Sequence, residues 1–218
     1  MHRTPALYVV TDPLCSWCWG MSRAVEDAQH QLRDEVRFDV LLGGINTHGT
    51  QNIGEFGRRH LMKIWQEVHA TTGQPFGFRL PDVLIYNSTM PCVAVEAVRT
   101  LIGAPPFGYL HRLQALFFVE GVNINDREVL IQVAGEFGVE AREFEPLLDS
   151  ERTQALVQFQ FETSRAFGTN ALPSLLWEEE GGERTLFAGG YVDADMLTEL
   201  ARARLTDGRG VPVPAGRD

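Results

Sequence analysis

Cys15 and Cys18 stand three residues apart in Asp12-Pro13-Leu14-Cys15-Ser16-Trp17-Cys18-Trp19-Gly20, just after the apolar run Ala6-Leu7-Tyr8-Val9-Val10. Thiols at that spacing in a first helical turn share one face and can close a disulfide with little backbone movement. The chemistry on offer is thiol-disulfide exchange. Unpaired backbone N–H groups and the positive end of a helix dipole favour an anion at Cys15, which makes it the expected nucleophile. Cys18 lies deeper in the helix, where burial disfavours a thiolate but keeps the sulfur poised to attack a mixed disulfide; it is the expected resolving thiol. The outer sulfur is expected to be accessible, at the mouth of a cleft.

The neighbours of the pair have competing readings. Trp17 and Trp19 form an apolar lip for a substrate or pack the helix, with Trp19 the better core residue. Asp12 is a candidate proton relay, or it hydrogen-bonds the turn, as an Asp before Pro commonly does. A metal half-site would need more soft ligands than Cys92 supplies, so no metal is expected. Cys92, among Val93, Val95, Ala97 and Val98, reads as a buried apolar filler. His48, His60, His69 and His111 are scattered and read as surface or satisfied polar residues.

A strand, a turn and a helix must position the thiols. The apolar run predicts a strand, Pro13 breaks it, and Met21–Asp34 continues a helix with an apolar stripe at Ala24, Val25, Ala28 and Leu32. Val36–Leu42, ended by Gly43-Gly44, predicts a second strand, and the crossover makes the two parallel. Helices are predicted from Gly54 to Ala70, from Asn87 or Ser88 to Ile102, and from Phe107 to Glu120. Further helices follow from Asn125, which has capping-box spacing with Glu128, to Gly138, and over Ala141–Leu148 and Ser150–Phe167. Phe117, Phe118, Phe159 and Phe161 are expected to pack them. A strand over Leu172–Trp177, an antiparallel partner over Arg184–Ala188 and a helix capped by Asp193 close the chain.

The expected fold class is α/β. Residues 1–45 and 168–206 would form a core of β-α-β then β-β-α, 46–167 an inserted all-helical domain walling a cleft, and 207–218 a flexible tail. The chain's 218 residues are 44% hydrophobic, enough to fill a sizeable interior. A net charge of −10 argues against a general nucleic-acid surface. Three cysteines make no structural disulfide framework, and no apolar run has membrane length. With no signal-peptide core at the start, the expected address is the cytoplasm, where the pair would rest as the dithiol.

Taken together, the Cys15-x-x-Cys18 unit, the helical insertion, the strand opened by Pro173, the hairpin and the last helix resemble the DsbA-like branch of thioredoxin-fold proteins. The Asp12–Gly20 line is most similar to the subgroup of predicted cytosolic disulfide isomerases and oxidoreductases, and Gly121-Val122-Asn123-Ile124 with Asp126, Glu128 and Val129 also resembles the family. The resemblance implies that Pro173 is a cis-proline beside the dithiol. It further implies that Leu172 pairs with an extended substrate by strand addition; Ser16 and Trp17, beside the thiols, are further candidate substrate-binding residues. It implies a thiol-disulfide oxidoreductase or isomerase needing no cofactor, with glutathione or another thiol as co-substrate. Its partners would be a disulfide-containing protein or small thiol and a cellular reductant. Ser16-Trp17 lacks the histidine that periplasmic relatives carry between their cysteines, so a milder oxidant is expected. Two alternatives stand beside it: a glutathione-dependent isomerase or transferase of the same fold class, and a non-catalytic, redox-sensitive peptide-binding module.

Overall fold

The computed structural model describes residues 4–168 and 171–207. Strand β1 (Ala6–Thr11) is buried along nearly its whole length, as a strand covered on both faces must be. It leads into helix α1 (Ser16–Gln31), and strand β2 (Arg37–Leu42) returns parallel to β1 with Ala6 opposite Arg37. Strand β3 (Ser174–Glu178) lies antiparallel on the other side of β1, and β4 (Arg184–Gly189) pairs with β3 through a register shift between Leu175 and Leu176. The sheet order is β2-β1-β3-β4. In this mixed four-stranded sheet the expected β-α-β and β-β-α halves meet around β1.

Among the described residues, six α-helices run between β2 and β3: α2 (Glu55–Thr72), α3 (Thr89–Ile102), α4 (Phe107–Ala115), α5 (Arg127–Glu136), α6 (Ala141–Leu148) and α7 (Glu151–Ala166). Helix α8 (Ala194–Asp207) closes the chain, with Asp193 Oδ1 accepting from the Met196 N–H at 2.8 Å. Residues 208–218 of the expected tail lie outside the described residues.

Several boundaries depart from the sequence reading for local reasons. The helix expected over Phe107–Glu120 widens at Leu116–Glu120 into a π turn, ended by Gly121 at φ +72°. Asp126, not Asn125, caps α5, its carboxylate accepting from Glu128 N–H at 3.0 Å. Phe159 is 65% exposed on α7 rather than packed, whereas Phe161, on the inward face, is buried.

One face of the sheet buries Leu7 and Val9 against Met21 and Val25 of α1 and Leu197 and Ala201 of α8. The helices build a second core around Trp65, Phe117, Phe118, Phe144 and Phe161, and Leu14, Trp19, Val40 and Leu42 belong to it. The inserted segment therefore shares its interior with the strand-turn-helix unit. Gly20 marks the closest approach: a Cβ there would fall 2.6 Å from Val68 Cγ1 of α2, and a β-branched side chain in a helix has little freedom to yield.

Candidate active site

Cys15 is the N-cap of α1, and its Sγ accepts the Cys18 backbone N–H at 3.2 Å. Its own N–H donates to Asp12 O at 3.2 Å, which tightens the Asp12–Cys15 turn. The sulfur thus takes one of the N–H groups that the first turn of a helix leaves without a backbone partner. Cys18 sits on the helix face that turns inward and hydrogen-bonds the Thr11 hydroxyl. Burial first, and the adjacent Cys15 sulfur second, push the Cys18 thiol well above its ordinary range. Both cysteines are free thiols.

The expected exposure of the outer sulfur is wrong for this structure: Cys15 is 1% exposed and Cys18 4%. The cause is the loop itself. Pro13 and Leu14 are buried, and Tyr86 donates its phenol hydrogen to Leu14 O at 2.7 Å, fastening the turn to the segment before α3. Ser16 is buried as well, at 8%. Trp17 is half-buried and tilts against Tyr191 at a ring distance of 6.2 Å, so it retains a solvent-facing edge. Trp19 is core: its indole N–H donates to Pro75 O at 2.9 Å and its ring stacks on Phe118. The Leu172–Pro173 peptide is cis, Pro173 is buried, and Leu172 is half-buried with its methyls against Gly43.

Asp12 is fully buried and has no cationic partner among the described residues. Its Oδ1 accepts Leu14 N–H at 2.8 Å, and its Oδ2 accepts Ile45 N–H at 2.8 Å and the Cys92 thiol at 3.6 Å; Ser88 also hydrogen-bonds the carboxylate. These bonds tie the start of the thiol loop to the end of β2 and to α3. Cys92, expected as filler, is thus also a hydrogen-bond donor, and burial pushes its thiol well up. No hydrogen bond joins the Asp12 carboxylate to the Cys15 or Cys18 sulfur among the described residues.

Burial raises the Asp12 carboxyl above its ordinary 3.8, against the opposing pull of its four donors. The folded state therefore holds this proton more tightly than the unfolded chain. Its stabilising share is complete below 3.8 and disappears as pH rises through the folded value. Wild type is expected to lose stability relative to Asp12→Asn as pH is raised from 3.8 towards neutrality, read by urea unfolding across that range. A gap that stays flat or moves the other way would contradict the assignment.

His111 of α4, expected as a surface or satisfied polar residue, lines a small cavity with Cys18, Thr11 and Pro173. Among the described residues no group of three or more His, Cys, Asp or Glu is placed to hold a metal ion, and no helix is long and apolar enough to cross a membrane.

Known proteins share this fold. A Nitrosomonas europaea structure provisionally described as a protein disulfide isomerase superposes with a TM-score of 0.85 at 27% identity, covering 94% of this chain and 98% of that one. The cytosolic disulfide reductase DsbM from Pseudomonas aeruginosa, also solved with GSH, superposes with a TM-score of 0.73 at 25% identity over 93% of this chain and 98% of its own. The ClpXP adapter protein SpxH of Halalkalibacterium halodurans is 23% identical over 187 residues, 80% of this chain. The chain spans about 60% of the length of that relative. A family model described as thioredoxin matches residues 8–197, and the chain belongs to that family, among DsbA-like structural neighbours.

Proposed function

We propose that the chain is a thiol-disulfide oxidoreductase that works through Cys15 and Cys18. The observation that carries this reading is the Cys18 N–H on Cys15 Sγ at the head of α1, with the second thiol one helical turn further in. Cys15 thiolate attacks a substrate disulfide R–S–S–R′, forming Cys15–S–S–R and releasing R′S⁻. Cys18 then attacks Cys15 Sγ; the Cys15–Cys18 disulfide forms, RS⁻ leaves, and the substrate has gained the two electrons that the dithiol lost. A cellular thiol returns the pair to the reduced state.

Because Cys15 is buried, the half-buried side chains around the turn, Trp17, Tyr86 and Leu172, must shift to admit a disulfide. Leu172 before the cis-Pro173 would then pair its backbone with the extended substrate, and Ser16 would border the same opening. Asp12 organises the turn in this scheme, and a proton-relay role would act through that network. The helical segment over 46–167 walls the site, while the two flanking segments carry the thioredoxin-like core. DsbM is described as a cytosolic reductase and was solved with GSH, which supports a cytoplasmic reductase with glutathione or a similar thiol as co-substrate. No nucleic acid, membrane, metal or other cofactor enters the scheme.

A second reading has its own support: the curated relatives are adapter proteins, so the surface around the thiol loop would bind a protein without turnover. Insulin reduction separates the two. Catalytic amounts of the protein with excess glutathione are expected to speed precipitation of the insulin B chain. After oxidation, the peptide holding Cys15 and Cys18 is expected to be two hydrogens lighter by mass spectrometry. A folded protein that gives no acceleration, while binding reduced and unfolded chains, would favour the adapter reading.

A further inference from the structure

The resolving step has an unanswered requirement: the Cys18 proton must leave a buried sulfur whose thiol is held well above its ordinary range. A cavity of about 10 Å³ lies next to that sulfur, about the least room one water molecule needs. Its polar wall is made of Thr11, Cys18, Ser22, His111 and Gln114, with Pro173 on the side of the substrate strand. Gln114 is 1% exposed; its Nε2 donates to Asp12 O at 3.2 Å, and its Oε1 has no hydrogen-bond partner among the described residues. An unpartnered buried carbonyl beside a thiol, a hydroxyl and an imidazole is a setting that a bridging water satisfies.

We propose that this cavity holds a water molecule that passes the Cys18 proton to His111 during resolution. The inference rests on the thiol-exchange reading and adds the proton's route. With the substrate held as Cys15–S–S–R, Cys18 gives its proton to the water as the water gives one to an imidazole nitrogen. The Cys18 electron pair forms the Cys15–Cys18 bond, the Cys15–substrate bond breaks, and RS⁻ leaves to take a proton from solvent. Asp12 is the rival acceptor, but its carboxylate is occupied by Leu14, Ile45, Ser88 and Cys92.

His111 must be neutral to accept. Burial lowers its proton affinity and Glu26 of α1 partly restores it, so the imidazole is uncharged at neutral pH. Cys18, also on α1, is the other titratable group on the cavity wall; the walls contributed by β1 and by Pro173 carry none.

Dithiodipyridine at one equivalent reads the two steps separately, because Cys15 attack and Cys18 resolution each release one pyridinethione. In wild type the second release is expected to quicken as His111 loses its proton and then level off. His111→Gln is expected to keep the first release, slow the second by on the order of 10²-fold near neutrality, and replace the plateau by a steady climb with pH as hydroxide takes over. Glu26→Gln should move the wild-type profile to lower pH. An unchanged second release in His111→Gln, equal slowing of both releases, or loss of the plateau in Asp12→Asn instead would overturn the proposal. A wild type with no first release would overturn the exchange reading itself.

Discussion

Cys15→Ser is expected to drop insulin reduction to the rate of the buffer thiol alone, while Cys18→Ser is expected to remain covalently joined to its substrate. The asymmetry follows from where each sulfur sits. Cys15 Sγ takes the Cys18 backbone N–H at 3.2 Å, whereas Cys18 meets the Thr11 hydroxyl and a buried cavity. A serine hydroxyl at position 15 is a far weaker nucleophile than a thiolate, so the first bond never forms. A serine at position 18 leaves that bond intact but cannot displace the product. The trapped species should run as an added mass on a non-reducing gel and vanish with dithiothreitol. Near-wild-type turnover by Cys15→Ser would sink the mechanism, and turnover with glutathione by Cys18→Ser would move the assignment to the glutathione-dependent alternative.

What could be read from the chain alone was what is local in it. The thiol spacing, the strand before it and the helix after it are set by neighbours within a few residues, and β1, α1 and β2 lie close to their expected places. The π turn at Leu116–Glu120 escaped notice because five residues of wider pitch barely disturb the apolar periodicity of Phe107–Glu120. Three features of the site depend on residues far apart in sequence. The Cys92 thiol reaches Asp12 across 80 positions and Gln114 reaches it across 102. His111 shares a cavity with Cys18 only because α4 packs on α1. The burial of Cys15 belongs with them. A proline-led loop at the head of a helix suggests exposure, but long-range contacts such as Tyr86 to Leu14 and Asp12 to Ile45 and Cys92 draw the turn in.

Phe118→Ala is expected to cost about 3–5 kcal/mol of stability. The ring is completely buried and meets Trp65, Phe76 and Phe117 at centroid distances of 5.3, 5.5 and 5.0 Å, each edge to face, while Trp19 stacks on it at 6.3 Å. Such pairs add about 0.5–1.5 kcal/mol each beyond the area they bury, and rings from α1, α2 and the segment after α2 leave the site little room to collapse. A domain has only about 5–15 kcal/mol in hand, so this one ring is a large fraction of the total. Its position also ties stability to chemistry. Trp19 directly follows Cys18, and the same core holds Leu14 of the thiol loop, so loosening Phe118 frees α1 at the end where the thiols sit. Urea unfolding should show a lower midpoint with little change in slope, and dithiodipyridine should react faster with Cys15 because the buried turn opens more often. Phe159→Ala, on the exposed face of α7, should stay within about 0.5 kcal/mol of wild type and leave thiol reactivity as it was. Equal costs for the two phenylalanines would mean that the aromatic cluster does not join the inserted helices to the thiol-bearing unit.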